Sequence, residues 1–238
     1  MYHAIVNQLS RGNLSSLRWL ERPITKDYQK EDLVRIHYAL LNFRDVMLAT
    51  GKIGLDVFQQ DRKNVDNVLG FDYSGISTGG RRIMGLNPNK YAIPCVYSTC
   101  VAALYINREM KKGDRILIYS GAGGVGQAAI TIALHESCKI LTTVGTPEKR
   151  KFIKETFPSI DDNHIGNSRD TSFEQMILQE TDGGGVDIVL NFLAEEKLLA
   201  SLRCLAYRGR FLEIGKFDLA ANNLLDIDVF TKEISFML

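Results

Sequence analysis

The chain has no surplus of either charge. Its 238 residues hold 29 Lys and Arg against 28 Asp and Glu, a formal net charge of +1. That balance creates no field that would gather nucleic acid or an anionic membrane, so neither is expected as a partner. No apolar run approaches the roughly 20 residues that a bilayer-spanning helix needs. The first residues, Met1 to Gln8, lack the basic and apolar blocks of a secretory signal; the expected location is cytoplasmic. Cysteine is scarce. Cys95, Cys100, Cys138 and Cys204 form no C-x-x-C, and His3, His37, His135 and His164 stand apart from them. No metal site is expected, and the cysteines read as small buried thiols. Internal repeats and low-complexity linkers are also missing.

What is present reads as an ordinary soluble protein, 45% hydrophobic and 24% charged, long enough for one large or two small domains. The most informative stretch runs from Arg115 to Ala129. An apolar segment, Arg115–Ser120, leads into Gly121-Ala122-Gly123-Gly124-Val125-Gly126 and then into a helix start. Glycines at 121, 123 and 126 satisfy G-x-G-x-x-G in the strand–turn–helix setting that gives the motif meaning. A turn without side chains lets a pyrophosphate approach the backbone, and the helix end offers N–H groups and a positive dipole. Gly121, Ala122, Gly123, Gly124, Val125 and Gly126 are therefore expected to cradle a dinucleotide.

From Arg115 to Gly215 strands and helices alternate. Strands are expected at Arg115–Ser120, Lys139–Val144, Asn163–Gly166, Asp187–Phe192 and Gly209–Ile214. Helices are expected at Val125–His135, Pro147–Phe157, Ser172–Thr181 and Glu195–Ala206. Thr146 and Pro147 open the second helix as cap and first residue. Thr171 with Glu174 reads as a capping box for the third. Such repetition predicts an α/β fold, a doubly wound parallel sheet of Rossmann type. The earlier part differs. Ile5–Val6, Leu33–Tyr38, Asp72–Ile76 and Arg82–Leu86 read as short strands, and Asn42–Thr50 as a short helix with Phe43, Val46, Met47 and Leu48 on its apolar side. The join is expected near Pro94, with Val96–Asn107 as a helix leading into the nucleotide domain.

The second strand of the α/β part ends without an acid. Rossmann domains that bind NAD usually place Asp or Glu there to hold the ribose 2′-hydroxyl. Here Val144 is followed by Gly145-Thr146-Pro147-Glu148-Lys149-Arg150. Thr143, Lys149 and Arg150 offer donors and positive charge to a 2′-phosphate, which points to NADPH. Alternatively, Lys149 and Arg150 form a solvated helix face. Carboxyl ends of parallel strands are where such sheets bind ligands, so Asn191, Leu193, Ile214 and Gly215 join the candidate site. Plain core packing is the alternative for Leu193 and Ile214.

Further blocks carry a resemblance. They are Leu14–Trp19, Leu41–Lys52, Gly80–Gly85, the glycine turn, Asn167–Gln175, Asn191–Leu198 and Gly209–Asp218. In this order, over nearly the whole chain, they resemble the enoyl reductase domain of animal fatty acid synthase, within the medium-chain dehydrogenase/reductase superfamily. The resemblance implies an incomplete GroES-like, mostly β substrate domain over residues 1–93, then an NADPH-binding Rossmann domain over 94–238, without zinc. It implies reduction of a trans-2-enoyl thioester carried on acyl carrier protein, with hydride to the β-carbon and a proton to the α-carbon. Other domains of a multidomain synthase, and a second copy in a homodimer, are the implied partners. Lys149 matches a lysine of the cofactor region, and Lys216 matches a lysine regarded as a proton donor. Asn42, Phe43 and Arg44, with Asp45, match the substrate-side motif; a structural Arg/Asp pair at a helix start is the competing reading.

Two departures stand out against that family. Only Leu86–Ala92 stands where relatives carry a longer stretch completing the substrate barrel. The sequence stops within Ile234–Leu238, a strand after Lys216, before a family aspartate that pairs with that lysine and before the return to the substrate domain. A shortened form or fragment is the expectation. An NADPH-dependent quinone or alkenal reductase, and a catalytically silent NADPH-binding piece, remain as alternatives.

Overall fold

The computed structural model describes residues 2–10, 12–23, 34–40, 42–52, 72–86, 95–107, 109–215, 217–225 and 227–237. The chain forms two compact units, Met1–Cys95 and Val96–Leu238. The expected join at Pro94, the short stretch Leu86–Ala92 beyond its first residue, and Lys216 lie outside the described residues.

The first unit is β-rich. Strands β1 (Tyr2–Gln8) and β2 (Leu17–Pro23) pair antiparallel, Gln8 opposite Leu17. Strand β3 (Val34–Leu40) precedes helix α1 (Phe43–Ala49). Strands β4 (Asp72–Ser77) and β5 (Arg82–Leu86) complete an antiparallel sheet in the order β3-β4-β5. Helix α1 starts where the Asn42 N–H donates to the Asp45 carboxylate at 3.1 Å, while Asn42 Nδ2 donates to Asp72 at 2.9 Å. Both carboxylates are buried. Asp45 is thus a helix-start anchor; the Arg44 side chain, the other half of the pair in the structural reading, lies outside the described residues. The apolar side expected for α1 needs one correction: Leu48 and Ala49 are buried, but Val46 is exposed.

The second unit begins at Val96, within α2 (Cys95–Val101), which continues as a π-helical turn over Ala102–Ile106. There follow β6 (Arg115–Ile118), α3 (Gly124–His135), β7 (Lys139–Val144), α4 (Pro147–Thr156), β8 (Ile165–Asn167) and α5 (Phe173–Glu180). The chain ends with β9 (Val186–Asn191), α6 (Glu196–Arg203), β10 (Leu205–Glu213), α7 (Phe217–Ala221) and β11 (Ser235–Met237). All six strands run parallel in the order β11-β10-β9-β6-β7-β8. Chain order reverses between β6 and β9, and this is the switch point of a doubly wound sheet.

Parallel strands covered on both faces must be apolar on both. Ile116 and Ile118 point into one core with Ala128, Ala129 and Ile130 of α3 and Ile153 of α4. Leu117 and Tyr119 point into the other with Phe173 and Ile177 of α5 and Leu198 of α6. Among the described residues no helix is long and apolar enough to cross a membrane. Cys100, Cys138 and Cys204 are buried and unpaired; burial pushes the Cys100 and Cys204 thiols up to about 12. The Cys95 side chain lies outside the described residues.

Several expected boundaries shift: β10, expected from Gly209, begins at Leu205, and three further differences have a visible hydrogen-bonding reason. The strand expected at Asn163–Gly166 begins at Ile165, because Asp162–His164 winds into a 3-10 turn. The helix expected to reach Ala206 ends at Arg203, where Lys232 Nζ donates to the carbonyls of Arg203 and Leu205. The capping box at Thr171 does not form. Asp170 accepts the Ser172 N–H at 2.9 Å, and Glu174 pairs with Arg203 at 2.7 Å.

Phe173 is fully buried and meets the Tyr119 ring edge-on at 5.2 Å. Phe173→Ala should destabilise the second unit by about 3–5 kcal/mol, measured by denaturant unfolding.

Candidate cofactor site

The glycine turn is built by contact as much as by conformation. A Cβ on Gly126 would lie 2.3 Å from the Ser120 carbonyl oxygen and 2.7 Å from the Gly121 Cα. One on Gly121 would lie 2.2 Å from Thr142 Oγ1. These two glycines let α3 sit directly on the end of β6. The Gly121 N–H donates to the Thr143 carbonyl at 3.1 Å, and the Gly123 N–H to the Ser120 carbonyl at 2.7 Å. The first helical bond runs from the Gln127 N–H to the Gly123 carbonyl. The amides of Gly124, Val125 and Gly126 therefore precede the helical ladder, where orphan donors face an incoming anion. Gly123 and Gly124 are exposed, and Gln127 Nε2 donates back to the Ala122 carbonyl at 2.9 Å. This arrangement fits a pyrophosphate.

The second-strand tip departs from expectation in two residues. At that tip Thr143 is fully buried inside the sheet, and its Oγ1 has no hydrogen-bond partner. Arg150 turns away from the tip. Its guanidinium donates to the Asp162 carbonyl at 2.8 Å, to the Asp162 carboxylate at 2.9 Å, and to the Ile165 carbonyl. It holds the connection into β8, and with Lys154 it keeps the Asp162 carboxyl below the usual range. Lys149 stays exposed on the first turn of α4, capped by Thr146. Glu148 is exposed as well; its carboxyl is lowered by its own backbone N–H and then by Thr146.

A different cation occupies the tip. Arg169 Nε donates to the Gly145 carbonyl at 3.3 Å, and a Cβ on Gly145 would lie 2.8 Å from that nitrogen. The turn after β8 presents it: the Arg169 N–H donates to Asn167 Oδ1 at 3.0 Å, and Asn167 Nδ2 donates to Asp170 at 2.7 Å. Sequence reasoning missed Arg169, although it lies in a block that carried the resemblance. Its place depends on β7 and β8 pairing with Val144 opposite Asn167, which no local pattern reveals.

The carboxyl ends of β9 and β10 bring four expected residues together. The Ile214 N–H donates to the Asn191 carbonyl at 3.0 Å. Asn191 is fully buried; its Nδ2 donates to the Leu193 carbonyl and to Glu213 Oε2, both at 2.6 Å, and its Oδ1 accepts the Leu193 N–H at 3.2 Å. The Asn191 side chain thus clamps the turn. Two residues later Glu195 adopts φ 58°, ψ −131°, a strained conformation costing about 1–3 kcal/mol. Its N–H is held by the Asp218 carboxylate at 3.1 Å. Glu213 was not foreseen. Its side chain is buried, and burial pushes its pKa up from 4.5 to about 7, with the Asp218 charge adding to the rise against the Asn191 and Gly215 donors. A Cβ on Gly215 would lie 2.6 Å from Glu213 Oε1. Lys216 lies outside the described residues. Asn42, Phe43 and Arg44 belong to the other unit, at the start of α1.

Comparisons with known proteins follow this geometry. The zinc-binding dehydrogenase family matches residues 124–237. Among the described residues no group of three or more His, Cys, Asp or Glu side chains is placed to hold a metal ion, so zinc does not fit them. The lovastatin diketide synthase lovF of Aspergillus terreus is 34% identical over 94% of this chain, which spans 10% of that protein. The CurK enoyl reductase has TM-score 0.78 at 27% identity, covering 98% of this chain and 80% of that one. The nucleotide-binding subdomain of the enoylreductase domain of PpsC from Mycobacterium tuberculosis is 38% identical, with TM-score 0.55, covering 59% of this chain and 76% of that one.

Glu213 sets a pH dependence. Its carboxyl binds its proton more tightly in the folded state than in the unfolded state, so the folded state holds more protons between pH 4.5 and about 7. Stability should therefore fall as pH rises through that window, by up to about 3 kcal/mol. Glu213→Gln cannot ionise. It should match the wild type near pH 4.5 and exceed it at pH 8 in denaturant unfolding.

Proposed function

The chain belongs to the enoyl reductase domains of the medium-chain dehydrogenase/reductase superfamily, and from that membership we propose that it reduces trans-2-enoyl thioesters with NADPH. The thioester would be presented by acyl carrier protein among the other domains of a synthase. The synthase relative reported above is by its name a lovastatin diketide synthase; fatty acid synthesis rests on the sequence blocks alone, and the coarser assignment to a reducing synthase is the one we adopt.

One observation carries the cofactor choice: Arg169 stands over Gly145, where an NAD-specific domain would carry an acid. A 2′-phosphate placed there meets a guanidinium, with Lys149 as a second cation on the neighbouring helix turn. A 2′-hydroxyl meets no strand-tip carboxylate.

NADPH supplies the hydride for the β-carbon, and the balanced reaction takes an enoyl thioester, NADPH and a proton to the saturated thioester and NADP⁺. The chain's own part is binding, orientation and one proton. Residues 121–126 would hold the pyrophosphate. The backbone at Leu193, Ile214 and Gly215 would border the nicotinamide end. Lys216 is assigned the proton for the α-carbon, or support of the enolate oxygen. Asn42, Phe43 and Arg44 keep a substrate-side role on the sequence motif alone.

Mixing the protein with NADPH and a short enoyl thioester, and following the nicotinamide absorbance, tests this reading. Turnover is expected. Turnover with quinones alone would reassign the chain to free small-molecule reduction, and NADPH binding without any turnover would make it a silent binding piece. Arg169→Ala should weaken NADPH binding about tenfold and leave NADH affinity unchanged in fluorescence titrations. Lys216→Ala should lower turnover while NADPH affinity stays near the wild-type value.

A further inference from the structure

Most polar groups buried in the second unit have a plain structural task. Thr142 Oγ1 donates to the Ile118 carbonyl, Thr181 Oγ1 bridges its helix end to Gly185, and Tyr119 pairs with Ser201. Glu213 does not fit that pattern. It lies opposite Asn191 at the end of the β9–β10 pairing, and beyond the Gly215 N–H that faces the carboxyl its Oε1 makes no well-formed hydrogen bond. A Cβ at position 215 would press on that oxygen and displace it. A buried carboxyl with one poorly satisfied oxygen is costly, and an apolar side chain of that size would pack at lower cost.

What Glu213 does instead is orient an amide. Its Oε2 accepts from Asn191 Nδ2, which commits that end of the Asn191 side chain to nitrogen. The second Nδ2 hydrogen then goes to the Leu193 carbonyl, and Oδ1 receives the Leu193 N–H. Were the amide reversed, Oδ1 would face both the Glu213 oxygen and the Leu193 carbonyl oxygen, so two attractions would become two repulsions. The carboxyl on β10 therefore decides the geometry of a turn that leaves β9.

We infer that Glu213 is a positioning residue: through Asn191 it sets the turn from Asn191 to Leu193 that walls the nicotinamide end of the crevice. This rests on the NADPH reading above. Glu213 touches no reacting atom; it acts through the Asn191 amide on the Leu193 backbone.

The test uses Glu213→Gln, which keeps an acceptor for Asn191, Glu213→Leu, which removes it, and Asn191→Ala. Thermal unfolding first establishes that each variant is folded. Glu213→Leu and Asn191→Ala should each weaken NADPH binding about tenfold, and Glu213→Gln should stay within about twofold. The double variant should be no weaker than the worse single one, because both substitutions break one chain of bonds. In the unliganded protein, exchange of the Leu193 amide should quicken in Glu213→Leu and not in Glu213→Gln. If Glu213→Leu does not fold, Glu213→Asp withdraws the acceptor by one methylene and reads the same contact. A folded Glu213→Leu with wild-type NADPH affinity, or singles whose effects add in full, would overturn the positioning role while leaving the NADPH reading intact. Wild-type protein that binds no NADPH would overturn that reading, and the cofactor role of Glu213 with it, even with the Leu193 exchange pattern as expected.

Discussion

The approach of α3 to the end of β6 is the constraint on which the α/β unit depends. Gly126 lies so close to the Ser120 carbonyl and to Gly121 that any side chain would force them apart. That contact places the helix start directly beyond the strand and leaves the Gly124, Val125 and Gly126 amides ahead of the ladder. It also presses Ala128, Ala129 and Ile130 into one core. The same few glycines thus build the packing and the anion site together. A side chain at 121 or 126 would damage both, since the helix could not move without opening that core.

A second theme is the division of charged residues between holding and presenting. Arg150 fastens the entry to β8, while Arg169 is presented at the strand tip by the Asn167–Asp170 turn. Asp218 restrains the Glu195 backbone, and Glu213 orients Asn191. Arg150 secures the opposite end of β8, whereas Arg169, Asp218 and Glu213 serve the carboxyl edge of the sheet. Long-range hydrogen bonds there replace the regular ladder, because the loops that face a ligand must be fixed without secondary structure of their own.

Much of the fold was legible beforehand, and the reasons are local. The β6 and β9 segments are short apolar runs and the glycine turn is explicit, so a parallel sheet and its first crossover follow from pattern alone. Thr146 and Pro147 announce α4 as they stand. Legibility failed where one local signal competed with a distant partner. Thr171 and Glu174 have the spacing of a capping box, but Glu174 is drawn to Arg203, 29 residues on. Arg150 lies one residue from Lys149 and was grouped with it. On a helix neighbouring residues point in different directions, and Arg150 points toward Asp162 instead of the strand tip.

The sequence by itself determined the alternation of strands and helices, the glycine cradle and the missing acid after β7, since each is written within a window of a few residues. Only the tertiary structure decided which cation stands at that tip and which carboxyl governs the turn after β9. Arg169 meets Gly145 across 24 residues of chain, and Glu213 meets Asn191 across 22. Those meetings follow from strand register, and register is set by how whole apolar faces pack, not by the residues that end up in contact.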